Sequence, residues 1–151
     1  MTVASIPSVA SQPPDPIHAQ IADLCKQGDN LAATGQLEPA KQHYLAALRL
    51  LPAEHRDWQA ATWIYSALGN VHFRLEKYEK ALKSFQNAVQ CPGGPGNPYI
   101  HLRLGQLYFE RHQLDNAADE LTRANMGGGI DIFMEDDPRY LAFLETRISP
   151  R

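Results

Sequence analysis

A chain of 151 residues that is 44% hydrophobic and 21% charged has the size and balance of one globular domain, able to bury about 70% of the surface its unfolded form exposes. The 14 Lys and Arg against 17 Asp and Glu give a formal charge of −3, without the basic footprint of a protein that grips phosphate backbones, so no nucleic-acid partner is expected. Two cysteines, Cys25 and Cys91, make neither a disulfide framework nor a four-ligand zinc set, and no run of about 18 apolar residues could span a bilayer.

The opening stretch MTVASIPSVASQPPDP holds Pro7, Pro13, Pro14 and Pro16 but neither a basic start nor an unbroken apolar core. It predicts a flexible, extended arm over residues 1–16 and no secretory leader, with the cytoplasm as the compartment and both thiols reduced. From Ile17 onward the apolar spacing is helical, as in Trp63 to Phe73, where it recurs at i, i+3, i+4 and i+7; no sustained alternation suggests a strand. Gly35 closes a first helix, Leu51-Pro52 a second, the CPGGPGNP stretch from Cys91 to Pro98 a later one, and Met126 to Gly129 another. Beyond the glycines, Asp137 is a good N-cap and Pro138 a good first residue for a last helix over 138–148. The fold class is all-α.

The helices repeat in pairs. Gly28, Gly69 and Gly105 each stand twelve residues before an alanine (Ala40, Ala81, Ala117), followed four residues on by Tyr44, Phe85 or Leu121 and three further by Ala47, Ala88 or Ala124. This pattern, with Leu68-Gly69, Leu104-Gly105 and Tyr108, resembles the tetratricopeptide repeat. The spacings of 41 and 36 residues exceed that family's 34, and the extra residues are placed at Ala53 to Trp58 as an early start to the next helix. Physically, the small glycines let the paired helices approach, with the alanines expected to face them and Tyr44, Phe85 and Leu121 expected to fill the gap to the next unit. The resemblance implies three helical hairpins in a right-handed solenoid, with units at about 21–52, 55–92 and 98–128, and a C-terminal capping helix 138–148. Tyr140, Phe143, Leu144 and Ile148 share the side of that helix expected to cover the last open apolar face.

In this family the first helix of each hairpin lines a concave face that binds protein segments. Carried over by alignment, that face takes Ala22, Cys25, Lys26, Asp29 and Ala32, then Trp63, Ser66, Ala67, Asn70, Phe73 and Arg74, then Tyr99, Leu102, Arg103, Gln106, Phe109 and Glu110. Members that hold the acidic tail of heat-shock chaperones use two lysines, two asparagines and an arginine. Here those places hold Cys25, Asp29, Ala67, Tyr99 and Arg103, so the resemblance does not extend to that function. Trp63, Phe73, Tyr99, Leu102 and Phe109 instead suggest an aromatic and apolar groove, with Asn70, Arg74, Arg103 and Gln106 as polar fixers for a partner helix or extended peptide. The stretch from Asn97 to Leu144 also looks like small bacterial tetratricopeptide proteins associated with secreted toxins, which implies an immunity role. Three-repeat cytoplasmic chaperones of secretion-system substrates are the alternative.

No hydrolase elbow, P-loop, HExxH or calcium-loop pattern occurs, so a non-catalytic adaptor without cofactor or metal is expected. In the glycine-rich loop from Pro92 to Gly96, Pro92 and Pro95 remove donors that a phosphate cradle would need. The six histidines are dispersed, and His72, in a slot where the repeat usually has an aromatic, reads as packing. Glu135-Asp136-Asp137 reads as helix capping.

Overall fold

A computed structural model describes residues 15–52 and 59–148. Among these described residues seven α-helices follow in order: α1 (Asp15–Ala33), α2 (Leu37–Leu50), α3 (Gln59–Arg74), α4 (Tyr78–Val89), α5 (Pro98–Glu110), α6 (Leu114–Gly128) and α7 (Pro138–Ile148), with a short 3-10 turn at Ile130–Phe133 before the last. There is no strand among the described residues, and the chain is the all-α, helical-hairpin repeat that its periodicity predicts. Most of the proline-rich arm and the insertion at Ala53 to Trp58 lie outside the described residues. Asp15 and Pro16, expected in the arm, already belong to α1, because a proline in a helix's first turn gives up no intrahelical hydrogen bond.

The chain divides into two compact units, Met1–Pro95 and Gly96–Arg151. In the first, α1 pairs with α2 and α3 with α4, while α3 also packs on α2 and α1, so two hairpins stack. Their shared core gathers Ile21, Ala40, Tyr44, Ala47, Ala60, Ala61, Ile64, Leu68 and Val71. Thr62 in α3 donates a 2.7 Å hydrogen bond to the Pro92 carbonyl, fastening the chain that leaves α4. In the second unit α5 pairs with α6, and α7 packs on α6.

All three hairpins turn in the same way. Gly35, Glu76 and His112, each seven residues beyond the repeat glycine, have positive φ of 83°, 61° and 62°. The following amide reaches back over a full turn in each case: Gln36 to Leu31 at 2.9 Å, Lys77 to His72 at 2.8 Å and Gln113 to Tyr108 at 2.9 Å. These are Schellman closures, in which a left-handed residue lets two amides satisfy carbonyls at the helix end. Only the first turn has glycine at the strained position.

The repeat glycines are close-approach points, with different partners from those expected. A Cβ on Gly28, Gly69 or Gly105 would come within 2.7, 2.6 and 2.6 Å of the side chains of Tyr44, Phe85 and Leu121. Ala40, Ala81 and Ala117 are fully buried, but the larger side chain one turn later is what fills the space each glycine leaves. The reason is direction: a helical side chain leans toward the N-terminus of its helix, so Tyr44 covers ground near Ala40.

Helix ends elsewhere follow local chemistry. Asn97 caps α5, its side-chain oxygen accepting from Tyr99 N at 2.9 Å and Ile100 N at 3.3 Å, with Pro98 in the first turn. Asp137 accepts from Arg139 N at 2.9 Å at the start of α7, as the Asp-Pro pair predicts. Gly129, at φ 73°, ends α6.

Candidate functional site

The first unit presents an open face made by α1 and α3. A cavity of about 350 Å³ lies there, with Asp29 and Ala32 of α1 on one side, Ala67, Asn70 and Arg74 of α3 on the other, and Tyr44 and Val71 beneath. Five of these seven residues belong to the stripe drawn by the repeat alignment, so the structure brings the α1 and α3 shares of that stripe together. Arg74 is held at the rim by a 2.9 Å hydrogen bond from Nη1 to the Ala32 carbonyl. That bond uses one of its five N–H donors and aims the guanidinium across the cavity mouth. Trp63, toward the other end of α3, is 45% exposed, with its ring centroid 6.1 Å from that of His18 on α1. Phe73 is half-buried and meets Tyr78 edge-on at 5.5 Å.

Tyr44 and Val71 are the floor residues that sequence reasoning missed as part of this site. Tyr44 occupies the slot that Phe85 and Leu121 fill in the other hairpins, but its hydroxyl continues past the core and donates to Asp29 Oδ1. Burial, followed by that hydrogen bond, pushes the phenol pKa upward, so it is a neutral donor across the physiological range. The signal in the sequence was the phenol itself, the one polar-ended side chain among the three equivalents. Cys25, half-buried on α1, has its thiol pushed up to about 11 by burial first and by Asp29 second. It is therefore a thiol at neutral pH and not a thiolate nucleophile. Cys91 is buried and donates to the Asn87 carbonyl at 3.2 Å. No group of three His, Cys, Asp or Glu side chains among the described residues could hold a metal ion. What this face offers is an acceptor, a cation, a phenol-backed apolar floor and an exposed indole.

In the second unit the expected stripe is differently placed. Tyr99 is 63% exposed. Leu102 is buried with Leu121, Phe133, Tyr140 and Leu144, and Phe109 meets the rings of Tyr140 and Phe143 at 5.5 and 5.1 Å. Gln106 is fully buried and accepts from Arg103 Nη1 at 2.8 Å, while the same arginine lies 3.5 Å from Asp136. Glu110 accepts from Arg139 Nη2 at 2.9 Å and from the Tyr140 hydroxyl at 2.8 Å. The chain's own C-terminal segment thus covers most of the α5 stripe. Helical spacing identified the side of α5 that these residues share, but what covers it comes from about thirty residues downstream, which local periodicity does not reveal.

The repeat signature has independent support. Residues 63–91, which span most of α3 and α4, match the family model of the tetratricopeptide repeat. Repeats of that family generally mediate protein–protein interaction. Comparison of the chain with curated proteins finds no match. No helix among the described residues is long and apolar enough to cross a membrane.

Proposed function

We propose that this chain is a non-catalytic interaction module that takes a segment of a partner protein along the α1/α3 face. The observation that carries the reading is the cavity framed by Asp29, Asn70 and Arg74, continued along the same helix by the exposed Trp63. Opposite charges on the two walls suit an extended or helical segment that offers a donor to Asp29 and an acceptor to Arg74. Trp63 supplies the kind of apolar anchor that dominates such interfaces. Phe73 supports the far end of α3 from within, and Tyr99 is a separate exposed contact on α5. Leu102, Arg103, Gln106 and Phe109 enter the proposal as the residues that hold the C-terminal segment in place.

The proposed partner class is a secreted bacterial toxin bound by its immunity protein. Support for this finer reading is the resemblance of the stretch from Asn97 to Leu144 to toxin-associated tetratricopeptide proteins. The test isolates the native partner with the wild-type chain and then measures its affinity for Trp63→Ala and Arg74→Ala. Each should bind at least about tenfold more weakly while keeping the wild-type circular dichroism and melting curve. Unchanged affinity in both would remove the α1/α3 face from consideration. Protection of cells producing the partner supports immunity, whereas stabilisation of an otherwise inactive export substrate would replace it with the chaperone reading.

A further inference from the structure

The C-terminal segment has a second face that the proposed function does not use. Helix α7 is two-sided. Tyr140, Phe143 and Leu144 turn inward, with Arg147 over the Phe143 ring at 5.1 Å. Pro138, Leu141, Ala142 and Glu145, at i, i+3, i+4 and i+7, form the opposite stripe, with Leu141 also packing on the inner cluster. That stripe and the 3-10 turn enclose an open notch of about 360 Å³, to which Phe133 and Met134 contribute from the turn. Met134 is 65% exposed, and Ile130 in the same turn is 45% exposed.

The charge around this notch selects its occupant. Between Asp131 and Glu145 the chain has five carboxylates (Asp131, Glu135, Asp136, Asp137 and Glu145) and one cation, Arg139. That arginine is already engaged by Asp137 at 3.0 Å and Glu110 at 2.9 Å. Asp136 and Glu145 themselves line the notch; Asp136 is shared with Arg103 at 3.5 Å, so the acidic excess rests on exposed Glu145 together with exposed Asp131 and Glu135. An apolar trough with an acidic rim repels an anionic membrane surface and complements a helix that is apolar on one side and flanked by Lys or Arg. We propose that the groove between the 3-10 turn and α7 docks a basic amphipathic helix of a partner protein, independently of the α1/α3 face.

The full-length chain, isotopically labelled, is titrated with a synthetic peptide of about 15 residues bearing Leu on one side and Lys on the other. A peptide with Glu in place of Lys is the control. Amide shifts confined to residues 133–145 are expected, with the Leu/Glu peptide binding at least about tenfold more weakly. Ala142→Lys and Glu145→Lys, both at exposed helix positions that leave the core intact, should each weaken the Leu/Lys peptide at least about fivefold. Glu76→Lys, the same charge change in the first unit, should not. Equal weakening by Glu76→Lys, equal binding of the two peptides, or shifts spread across the chain would overturn the proposal in favour of net charge attraction. Shifts at the same residues on concentrating the chain alone, with mass doubling in sedimentation, would overturn it in favour of a second copy as occupant.

Discussion

Three residues carry the hairpin turns, and only one of them is suited to the backbone it adopts. Glu76 and His112 sit in the left-handed region at φ 61° and 62°, where a Cβ costs about 1–2 kcal/mol. Glu76→Gly is therefore expected to stabilise the chain by about 1 kcal/mol, seen as a higher urea midpoint at unchanged slope. A loss of about 0.5 kcal/mol or more would show that the Glu76 side chain does more than tolerate its turn. His72 gives a pH signature. Its ring Nδ1 is buried without a hydrogen-bond partner, and burial first, then Lys41, Lys80 and Lys77, hold its pKa below the ordinary 6.5 against the weaker opposite pull of Glu38. The fold thus prefers the neutral ring, and the unfolded chain binds more protons just below that value. Stability from this residue is complete above pH 6.5 and is lost as the pH falls toward the depressed folded value. Urea midpoints between about pH 7 and pH 5, above the carboxylate range, should fall in the wild type and fall less in His72→Phe. Parallel profiles would place the pH dependence elsewhere. Gly35 could be read from the sequence as a helix end; Glu76 and His112 could not, because nothing in a glutamate or histidine announces positive φ. Only alignment of the three repeat units puts them in one position.

At the scale of elements, α7 is a cap whose inner side seals α5 and α6. Its Tyr140, Phe143 and Leu144 were legible from helical spacing, and Asp137-Pro138 from capping chemistry; the side chain of Ile148 lies outside the described residues. Tyr140 and Leu144 are both buried in the cluster with Leu102, Leu121 and Phe133. The pair Tyr140→Ala with Leu144→Ala should destabilise the second unit by about 4 kcal/mol or more, from the usual cost of large-to-small core changes. Hydrogen exchange at α5 and α6 amides reports it, and a loss within about 0.5 kcal/mol would show that α7 is not a cap. The same helix explains why the α5 stripe was only partly legible. Leu102, Gln106 and Phe109 have the spacing of an open face, and Arg103 the charge of a ligand contact. An aromatic on a helix face reads the same whether a partner or a later part of the chain lies on it. The distinguishing facts are the Arg103–Asp136 pair and the Phe109–Tyr140 contact, both between residues about thirty positions apart.

For the whole molecule, composition suggested one domain with one core, and repetition sharpened that into a core distributed along stacked hairpins. The structure places one apolar cluster in the first unit, through α1, α2 and α3, and another in the second, under the C-terminal cap. In the first unit the α1/α3 face is open, and in the second the C-terminal segment covers much of the α5 stripe. Function on this reading rests on the open α1/α3 face receiving the partner. The decisive measurement is photo-crosslinking in the native cell with a benzophenone amino acid placed at Trp63, or at Lys83, which is exposed on α4. One defined protein adduct is expected from position 63, absent from position 83 and diminished when Arg74→Ala is added. An adduct from position 83 with none from 63 would contradict a partner seated on that face.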